Sequence, residues 1–136
     1  MEDTIFAKII RREIPANIVY EDADTIAFLD TTPVNPGHTL VLPKKFSRNI
    51  FDVDDGSLAA VTRTVKKVSI ALRDALGAEG VNIHVNNEPV AGQLVFHFHM
   101  HVIPRFANDG FKHWHGKPIP QDESEKIGEK LRQALG

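Results

Sequence analysis

Alternate positions of the segment 94–104 are occupied by three histidines, His97, His99 and His101, and the residues between them are large and apolar. Successive side chains of a β-strand point to opposite faces, so the alternation predicts a strand with three imidazoles on one face, about 7 Å apart. A single histidine on a half-buried strand is usually structural. Desolvating three adjacent imidazoles is unfavourable unless they serve a purpose, and this row is therefore the first candidate for a functional site.

Two chemistries suit such a row, and the pattern itself favours neither. Imidazoles at i and i+2 of a strand can converge on one Zn²⁺ ion that keeps water in its open position. Alternatively, one neutral imidazole attacks as a nucleophile while its neighbours orient it and bind charge. Both interpretations stay open at this point.

Length, charge and composition exclude several classes of protein. The chain of 136 residues fits a single domain, and its net charge of −2 with no basic run argues against a nucleic-acid groove. There is no apolar stretch of membrane-spanning length and no signal-peptide pattern at the start, so we expect a cytoplasmic protein without membrane contact. With no cysteine, disulfides, thiol nucleophiles and thiolate metal sites are excluded.

The elements that must position the histidines follow from hydrophobic periodicity. Thr4 is predicted to cap a short first helix. Strands are predicted at 18–20, 25–29, 39–42, 81–86 and 94–104, and the first two form a hairpin. Apolar residues at intervals of three and four predict a long helix from Asp54 or Asp55 to Gly77, and a C-terminal helix contains Ile127, Leu131 and Leu135.

This order of elements predicts an antiparallel α+β fold. We expect one domain over residues 1–136, with the C-terminal tail and helix 106–136 packed on it. The chain has no glycine-rich phosphate loop of the common kinds.

The histidine segment resembles the signature of the histidine triad (HIT) family, His-φ-His-φ-His-φ-φ with φ apolar. Other blocks match that family in order and spacing, so the resemblance covers nearly the whole chain. These blocks are Ile5-Phe6-x-Lys8-Ile9-Ile10, Ile14-Pro15-Ala16, Tyr20-Glu21-Asp22, Ala27-Phe28-Leu29-Asp30, Pro36-Gly37-His38-Thr39-Leu40-Val41, Pro43-Lys44-Lys45, Gly92-Gln93 and Gly116-Lys117-Pro118. The resemblance implies a five-stranded antiparallel sheet with helices packed on it, in a homodimer whose sheets join.

The resemblance also implies a reaction and a catalytic set. Members of the family act at the α-phosphate of nucleotide conjugates, usually purine ones, through a covalent nucleotidyl-histidine. By position, His99 is the nucleophile, and the backbone carbonyl of His97 accepts a hydrogen bond that fixes its tautomer. His101 and His38 are expected beside the phosphate oxygens, where they bind the charge of the transferring group.

The substrate-binding residues implied by the resemblance are of two kinds. Asp30 matches the acidic residue that accepts from the ribose hydroxyls, and Asn86 and Gln93 match polar positions near ribose and phosphate. Four apolar residues match the lining of the base pocket, although burial in a core explains them equally well. They are Phe6, Ile9, Phe28 and Leu29.

Two departures from the family pattern refine these expectations. Many prokaryotic members hold a structural zinc with two cysteines and a histidine besides the first triad histidine, and here those three places read Thr4, Ala7 and Phe46. We therefore predict no metal and no cofactor. Leu94 stands where many members place a polar residue near the leaving group. Since an apolar residue relays no proton, this slightly favours anhydride substrates over phosphoramidates.

Hydrolysis is preferred to transfer, because the transferases of this superfamily replace the last triad histidine with glutamine and this chain has His101. Two other hypotheses remain. One is a nucleotide-binding scaffold or sensor that turns over little substrate, since the same pocket serves both purposes. The other is a metal-dependent hydrolase with His97, His99 and His101 as ligands.

Overall fold

A five-stranded antiparallel sheet with strand order β1-β2-β3-β5-β4 organises the chain. The computed structural model describes residues 3–136. The expected α+β class is confirmed. In chain order the elements are α1 (Ile5–Ile10), β1 (Ile18–Glu21), β2 (Thr25–Leu29), β3 (Thr39–Pro43), α2 (Asp55–Leu76), β4 (Gly80–His84), a 3₁₀ turn (Pro89–Ala91), β5 (Met100–Arg105) and α3 (Gln121–Leu135).

The long helix α2 covers one face of the sheet. It begins where the Asp54 side chain accepts from the backbone N–H of Ser57, and it ends at Gly77, which has φ +71°. Its apolar stripe packs on the residues of β2, β3 and β5 that point towards it. This first core contains Ala27, Val41, Val61, Val65, Val68, Leu72, Ala78, Phe98 and Val102.

The short helix α1 covers the opposite face. Thr4 caps it as predicted, since its hydroxyl accepts from the N–H of Ala7 at 3.0 Å. Alternation along β2 and β3 sends their remaining side chains to this side, so both strands are buried on both faces. The second core consists of Phe6, Ile9, Ile26, Phe28, Leu40 and Leu42.

The predicted strand over 94–104 is wrong in its first half. Strand β5 begins only at Met100, so two of the three histidines lie in an irregular segment before it. In the register of β3 with β5, Phe98 would face Pro43, which has no N–H to donate. The N–H of Phe98 instead donates to the carbonyl of Ser47 at 2.8 Å.

The C-terminal part also differs from expectation. Helix α3 exists as predicted, but it buries none of its residues, so it does not pack on the domain of its own chain. Arg105 and Asp109 form an ion pair that anchors the start of the tail, with 2.8 Å between Nε and Oδ2. Among residues 3–136, no helix has the length and apolarity needed to cross a membrane.

Gly37 offers a test of how tightly the loop before β3 packs. It has φ +103°, and a Cβ atom there would lie 2.7 Å from Leu76 Cδ1 and 3.3 Å from Pro104 Cγ. We expect Gly37→Ala to lower the free energy of unfolding by about 2–4 kcal/mol, because it adds backbone strain to overpacking. Urea denaturation would measure this. Gly80→Ala, which meets open space, is the matched control, and equal effects of the two substitutions would contradict the account.

Candidate active site

A short hydrogen bond holds His99 in a defined tautomer. Its Nδ1 lies 2.6 Å from the carbonyl oxygen of His97. Because a carbonyl only accepts, Nδ1 carries the hydrogen and Nε2 keeps a lone pair. The ring also contacts Phe6 edge to face, with 4.9 Å between ring centroids, and the side chain is buried. His99 therefore presents one nucleophilic nitrogen from a fixed orientation.

His38 and His101 form a second ordered unit. The backbone N–H of Val34 donates to His38 Nδ1 at 3.1 Å, so the hydrogen of a neutral His38 is on Nε2. That nitrogen lies 2.9 Å from His101 Nδ1 and donates to it. The hydrogen of His101 must then be on its own Nε2. With both imidazoles of this pair neutral, the Nε2–H of His101 is the donor that remains for a substrate.

The ring of His97 takes no part in this arrangement. Its Nε2 lies 3.2 Å from the carbonyl oxygen of Pro43, its Nδ1 lies 3.3 Å from Thr4 Oγ1, and only 1% of the residue is exposed. Phe46 packs edge to face against it at 5.3 Å between centroids. Thr4 and Phe46 are two of the positions that the resemblance associates with zinc ligands, and Ala7, the third, is buried.

Burial lowers the pKa of every imidazole in this group. It is the largest cause of the lowered pKa of His38, His97 and His99. The pKa of His101 falls to about 4, because burial is reinforced by repulsion from His99 and His38. The neutral forms that the tautomers require are therefore the stable forms near pH 7.

Asp30 lies directly after β2 and faces the second imidazole unit. Its Oδ2 is 3.6 Å from His38 Nε2, while its Oδ1 accepts from the N–H and hydroxyl of Thr32. Ligand atoms of Asp30, His38 and His101 lie within 4.8 Å of one another, a spacing that a metal ion could use. The hypothesis of a metal held by all three triad histidines meets an obstacle, since both ring nitrogens of His97 have partners.

The four apolar residues expected around a base divide between the two faces of the sheet. Phe6, Ile9 and Phe28 belong to the second core, on the side of the histidines. Leu29 follows Phe28 on β2 and so points to the other face, where it lines a groove beside α2. For that reason Leu29 does not lie where the expected contact with the base would place it.

Gln93 holds the loop that leads into the histidines. Its Oε1 accepts from Asn49 Nδ2 at 3.1 Å and from the N–H of Glu88 at 2.8 Å. Its Nε2 donates to the carbonyls of Arg48 and Val95 at 2.8 and 3.1 Å. With these four bonds the amide is fully used, so the structure gives it a positioning role instead of the expected substrate contact.

Sequence reasoning missed the partners of Gln93. Asn49 is 2% exposed, and its Nδ2 also donates to Glu88. Arg48 contacts both carboxylate oxygens of Glu88 at 2.9 Å, and together with Asn49 it lowers the Glu88 pKa to about 2. The dipeptide Arg48-Asn49 belongs to no motif in the sequence, and residues 49 and 88 meet only after folding. No local signal identifies them.

Asn86 lines an open cavity of about 590 Å³ next to the histidines. The cavity reaches His101 through His84, its register partner on β4. Its wall also contains Lys112, His113 and Trp114 from the C-terminal tail, and none of its lining residues is acidic. A substrate bound to His99 and His101 would therefore have room on this side, where Lys112 is positively charged and the charge of Arg105 is balanced by Asp109.

Comparison with known proteins links this geometry to one group. The HIT domain profile matches residues 11–108. An uncharacterised HIT-like protein of Borreliella burgdorferi is 46% identical over 135 residues, which are 98% of this chain and 96% of that protein. The adenylylsulfatase HINT3 of Arabidopsis thaliana is 39% identical over 107 residues, which are 79% of this chain and 54% of that protein.

Solved structures agree with the fold. The crystal structure of SMU.412c from Streptococcus mutans superposes with a TM-score of 0.94 at 39% identity, covering 100% of this chain and 87% of that chain. A Bacillus subtilis member of the HIT family of proteins gives 0.91 at 37% identity, covering 99% of both chains.

The buried imidazoles should make stability depend on pH. The pKa of each is lower in the folded chain than the ordinary 6.5, so between pH 6.5 and 5 the unfolded chain binds more protons. The contribution of these groups to the free energy of unfolding is therefore complete above pH 6.5 and is lost as the pH drops. For each group, the loss is about 1.4 kcal/mol for every unit by which folding lowers its pKa. Carboxylates contribute to this slope only below about pH 5.

Urea denaturation at pH 7.0 and 5.0 would test this dependence. The loss of stability should shrink in His101→Gln and stay unchanged in His113→Gln, whose imidazole is exposed. An identical loss of stability in both variants would show that the buried imidazoles do not cause the pH dependence.

Proposed function

The chain belongs to the histidine triad family, and on that premise we propose that it hydrolyses purine nucleotide conjugates at the α-phosphate through a covalent nucleotidyl-histidine on His99. Family membership and likeness to an adenylylsulfatase support a nucleotide hydrolase or transferase in general terms. The single observation that carries the finer proposal is the bond from His99 Nδ1 to the His97 carbonyl. It leaves Nε2 as an oriented, unprotonated nucleophile.

The first chemical step forms a bond from His99 Nε2 to phosphorus while the bond from phosphorus to the leaving group breaks. The leaving group departs with the bonding electron pair. Negative charge on the phosphoryl oxygens is stabilised by the Nε2–H of His101, which His38 orients from behind. Because these donors are held before substrate arrives, little reorganisation is needed in the transition state.

The second step regenerates the imidazole. Water adds to phosphorus, the bond to His99 Nε2 breaks with its electron pair left on the nitrogen, and a nucleoside monophosphate is released while the proton of the water passes to the solvent. Asp30, beside His38, is available for the ribose hydroxyls, since its carboxylate follows β2 at the edge of the histidine group. The apolar wall formed by Phe6, Ile9 and Phe28 is where a purine base would approach.

The cavity beside His84 supports an anionic leaving group. Its wall has the basic residue Lys112 and no acidic residue, whereas the charge of Arg105, also in the wall, is balanced by its ion pair with Asp109. Leu94 is 88% exposed and offers no proton. A polyphosphate or mixed-anhydride leaving group departs as a stable anion, so it suits this surrounding better than an amine that needs protonation. We infer that dinucleoside polyphosphates and nucleotidyl anhydrides are preferred to phosphoramidates.

A homodimer whose sheets join remains part of the proposal. Strand β4 is an edge strand, so its outer N–H and C=O groups are open to pairing with a second copy. No nucleic-acid partner and no membrane partner are proposed.

Covalent catalysis can be tested by intact mass spectrometry after brief mixing with adenylylated conjugates and a quench without acid. We expect a mass gain of one nucleotidyl group, absent in His99→Ala, whose turnover should fall by a factor on the order of 10³ or more because the nucleophile is missing. His115→Ala is the control, since its ring is exposed and lies outside the cavity lining. Full turnover by His99→Ala would refute the role of His99, whereas AMP binding without adduct or turnover would favour a nucleotide-binding scaffold.

We also propose that the surroundings of His97 replace a structural metal site. The imidazole has two protein partners and a Phe46 ring against it, so apolar packing and hydrogen bonds hold the position. Elemental analysis of purified protein should find zinc well below one ion per chain, and a chelator should leave the melting temperature and the turnover unchanged. Stoichiometric zinc or a drop in melting temperature would contradict this proposal.

A further inference from the structure

Glu88 has a backbone conformation that is unusual for its residue type. It directly precedes the 3₁₀ turn and has φ +76° and ψ 155°. This combination of angles is adopted almost only by glycine, because a Cβ atom crowds the adjoining backbone there. The conformation is therefore strained, and other contacts must stabilise it if the turn is to keep its shape.

The carboxylate of Glu88 supplies such contacts. Both of its oxygens accept from the Arg48 guanidinium, each at 2.9 Å, and Oε2 also accepts from Asn49 Nδ2. A bidentate pair fixes direction as well as distance, since two parallel hydrogen bonds leave little freedom to rotate. The same two partners lower the pKa of Glu88 to about 2, so the group is ionised near pH 7. The side chain thus ties the strained residue to the segment that follows β3.

The backbone of Glu88 binds Gln93. Its N–H donates to Gln93 Oε1 at 2.8 Å, and its carbonyl accepts from the N–H groups of Ala91 and Gln93 at 3.0 and 3.2 Å. The N–H and the carbonyl of one residue therefore both point into the same short turn. Because φ and ψ set the angle between these two groups, the strained conformation of Glu88 is what directs them.

Gln93 transmits this arrangement to the histidine segment. Its Nε2 donates to the carbonyls of Arg48 and Val95. Arg48 in turn lies over the ring of Phe96, with 4.3 Å between its guanidinium carbon and the ring centroid. The two residues directly before His97 are thus held by the same group of contacts.

The path of this segment matters because of one oxygen atom. The carbonyl of His97 lies 2.6 Å from His99 Nδ1 and sets the tautomer of that imidazole. Both residues precede the start of β5, so contacts from outside the strand must fix the position of the carbonyl. A misplacement of about 1 Å at a reacting group can cost a factor on the order of 10² in rate. A small relaxation of the segment is therefore measurable.

We propose that Glu88 is a positioning residue for His99. Its carboxylate holds a strained turn in place, the turn fixes the Gln93 amide, and Gln93 sets the path of the residues that present the His97 carbonyl. Glu88 acts through these neighbours and not by contact with substrate. The expected effect on rate rests on the proposed catalysis by His99, whereas the tautomer of His99 is observable without any substrate.

Three substitutions at residue 88 separate the carboxylate from the strain. Glu88→Ala removes the carboxylate and keeps the Cβ atom, so with diadenosine triphosphate we expect kcat to fall on the order of tenfold while KM stays nearly unchanged. Glu88→Gly also removes the Cβ atom. Because glycine adopts this conformation without strain, its kcat should stay within about twofold of the wild-type value. Glu88→Gln keeps one accepting oxygen and should lie between Glu88→Ala and the wild type.

The tautomer gives a readout that a loss of stability alone would not move. Proton–nitrogen correlation spectra of the imidazole rings in ¹⁵N-labelled protein distinguish the two neutral forms of His99. Its signals are assigned by their absence from His99→Ala. We expect the Nδ1–H form in the wild-type chain and in Glu88→Gly, and a measurable share of the Nε2–H form in Glu88→Ala.

Arg12→Ala is the matched control. Arg12 is also a non-glycine residue at positive φ, +64°, and its side chain pairs with Glu21 of β1. The substitution thus removes an ion pair at a strained position elsewhere in the fold, and it should change neither kcat nor the spectrum.

Two results would overturn the proposal. One is a wild-type kcat together with an unchanged His99 tautomer in Glu88→Ala, and the other is a loss in Glu88→Gly as large as that in Glu88→Ala. Absence of turnover by the wild-type chain would instead defeat the proposed function. In that case the comparison of tautomers still decides whether Glu88 positions His99.

Discussion

The hydrogen bond from the His99 imidazole to the His97 carbonyl is the interaction on which the site depends. It requires a carbonyl that no neighbouring strand uses, and a regular ladder would have consumed it. Strand β5 begins only at Met100, so the residues before it do not belong to a ladder. The N–H of Phe98 donates to the carbonyl of Ser47 instead. The irregular segment is thus the condition for a nucleophilic imidazole at this position.

Holding an irregular segment in place requires packing on both sides. The first core, under α2, fixes Phe98 and Val102, and the second core, under α1, brings Phe6 against the ring of His99. Upstream, the four hydrogen bonds of Gln93 hold the loop that enters the segment. The burial that lowers the imidazole pKa values is produced by these same contacts. Orientation and protonation state therefore have one structural origin.

The two faces of the sheet carry different surfaces. On one side of the sheet, a cavity lined by His84, the register partner of His101, has Lys112 in its wall and no acidic residue. On the other side the α2 groove offers an apolar surface, and α3 has an apolar face with no partner in its own chain. Leu29 shows how strict this division is, because one step along β2 from Phe28 moves a side chain from the site face to the groove.

The sequence by itself determined the elements whose signals are local. Capping by Thr4 and Asp54, the stripe of α2, the hairpin and α3 follow from residues within a few turns of one another. The alternating histidines also predicted the candidate site, and the HIT resemblance predicted His99 as its nucleophile. Three-dimensional contacts were not needed for these conclusions, since periodicity and capping act over short distances.

Tertiary structure alone decided the features that join distant parts of the chain. The start of β5 depends on Pro43 and Ser47, the tautomer of His101 depends on Val34 through His38, and the saturation of Gln93 depends on Asn49. Each of these is a hydrogen bond between residues whose separation in sequence carries no periodic signal. The direction of a hydrogen bond is set by which groups meet after folding, and for that reason the chemistry of the site became definite only in three dimensions.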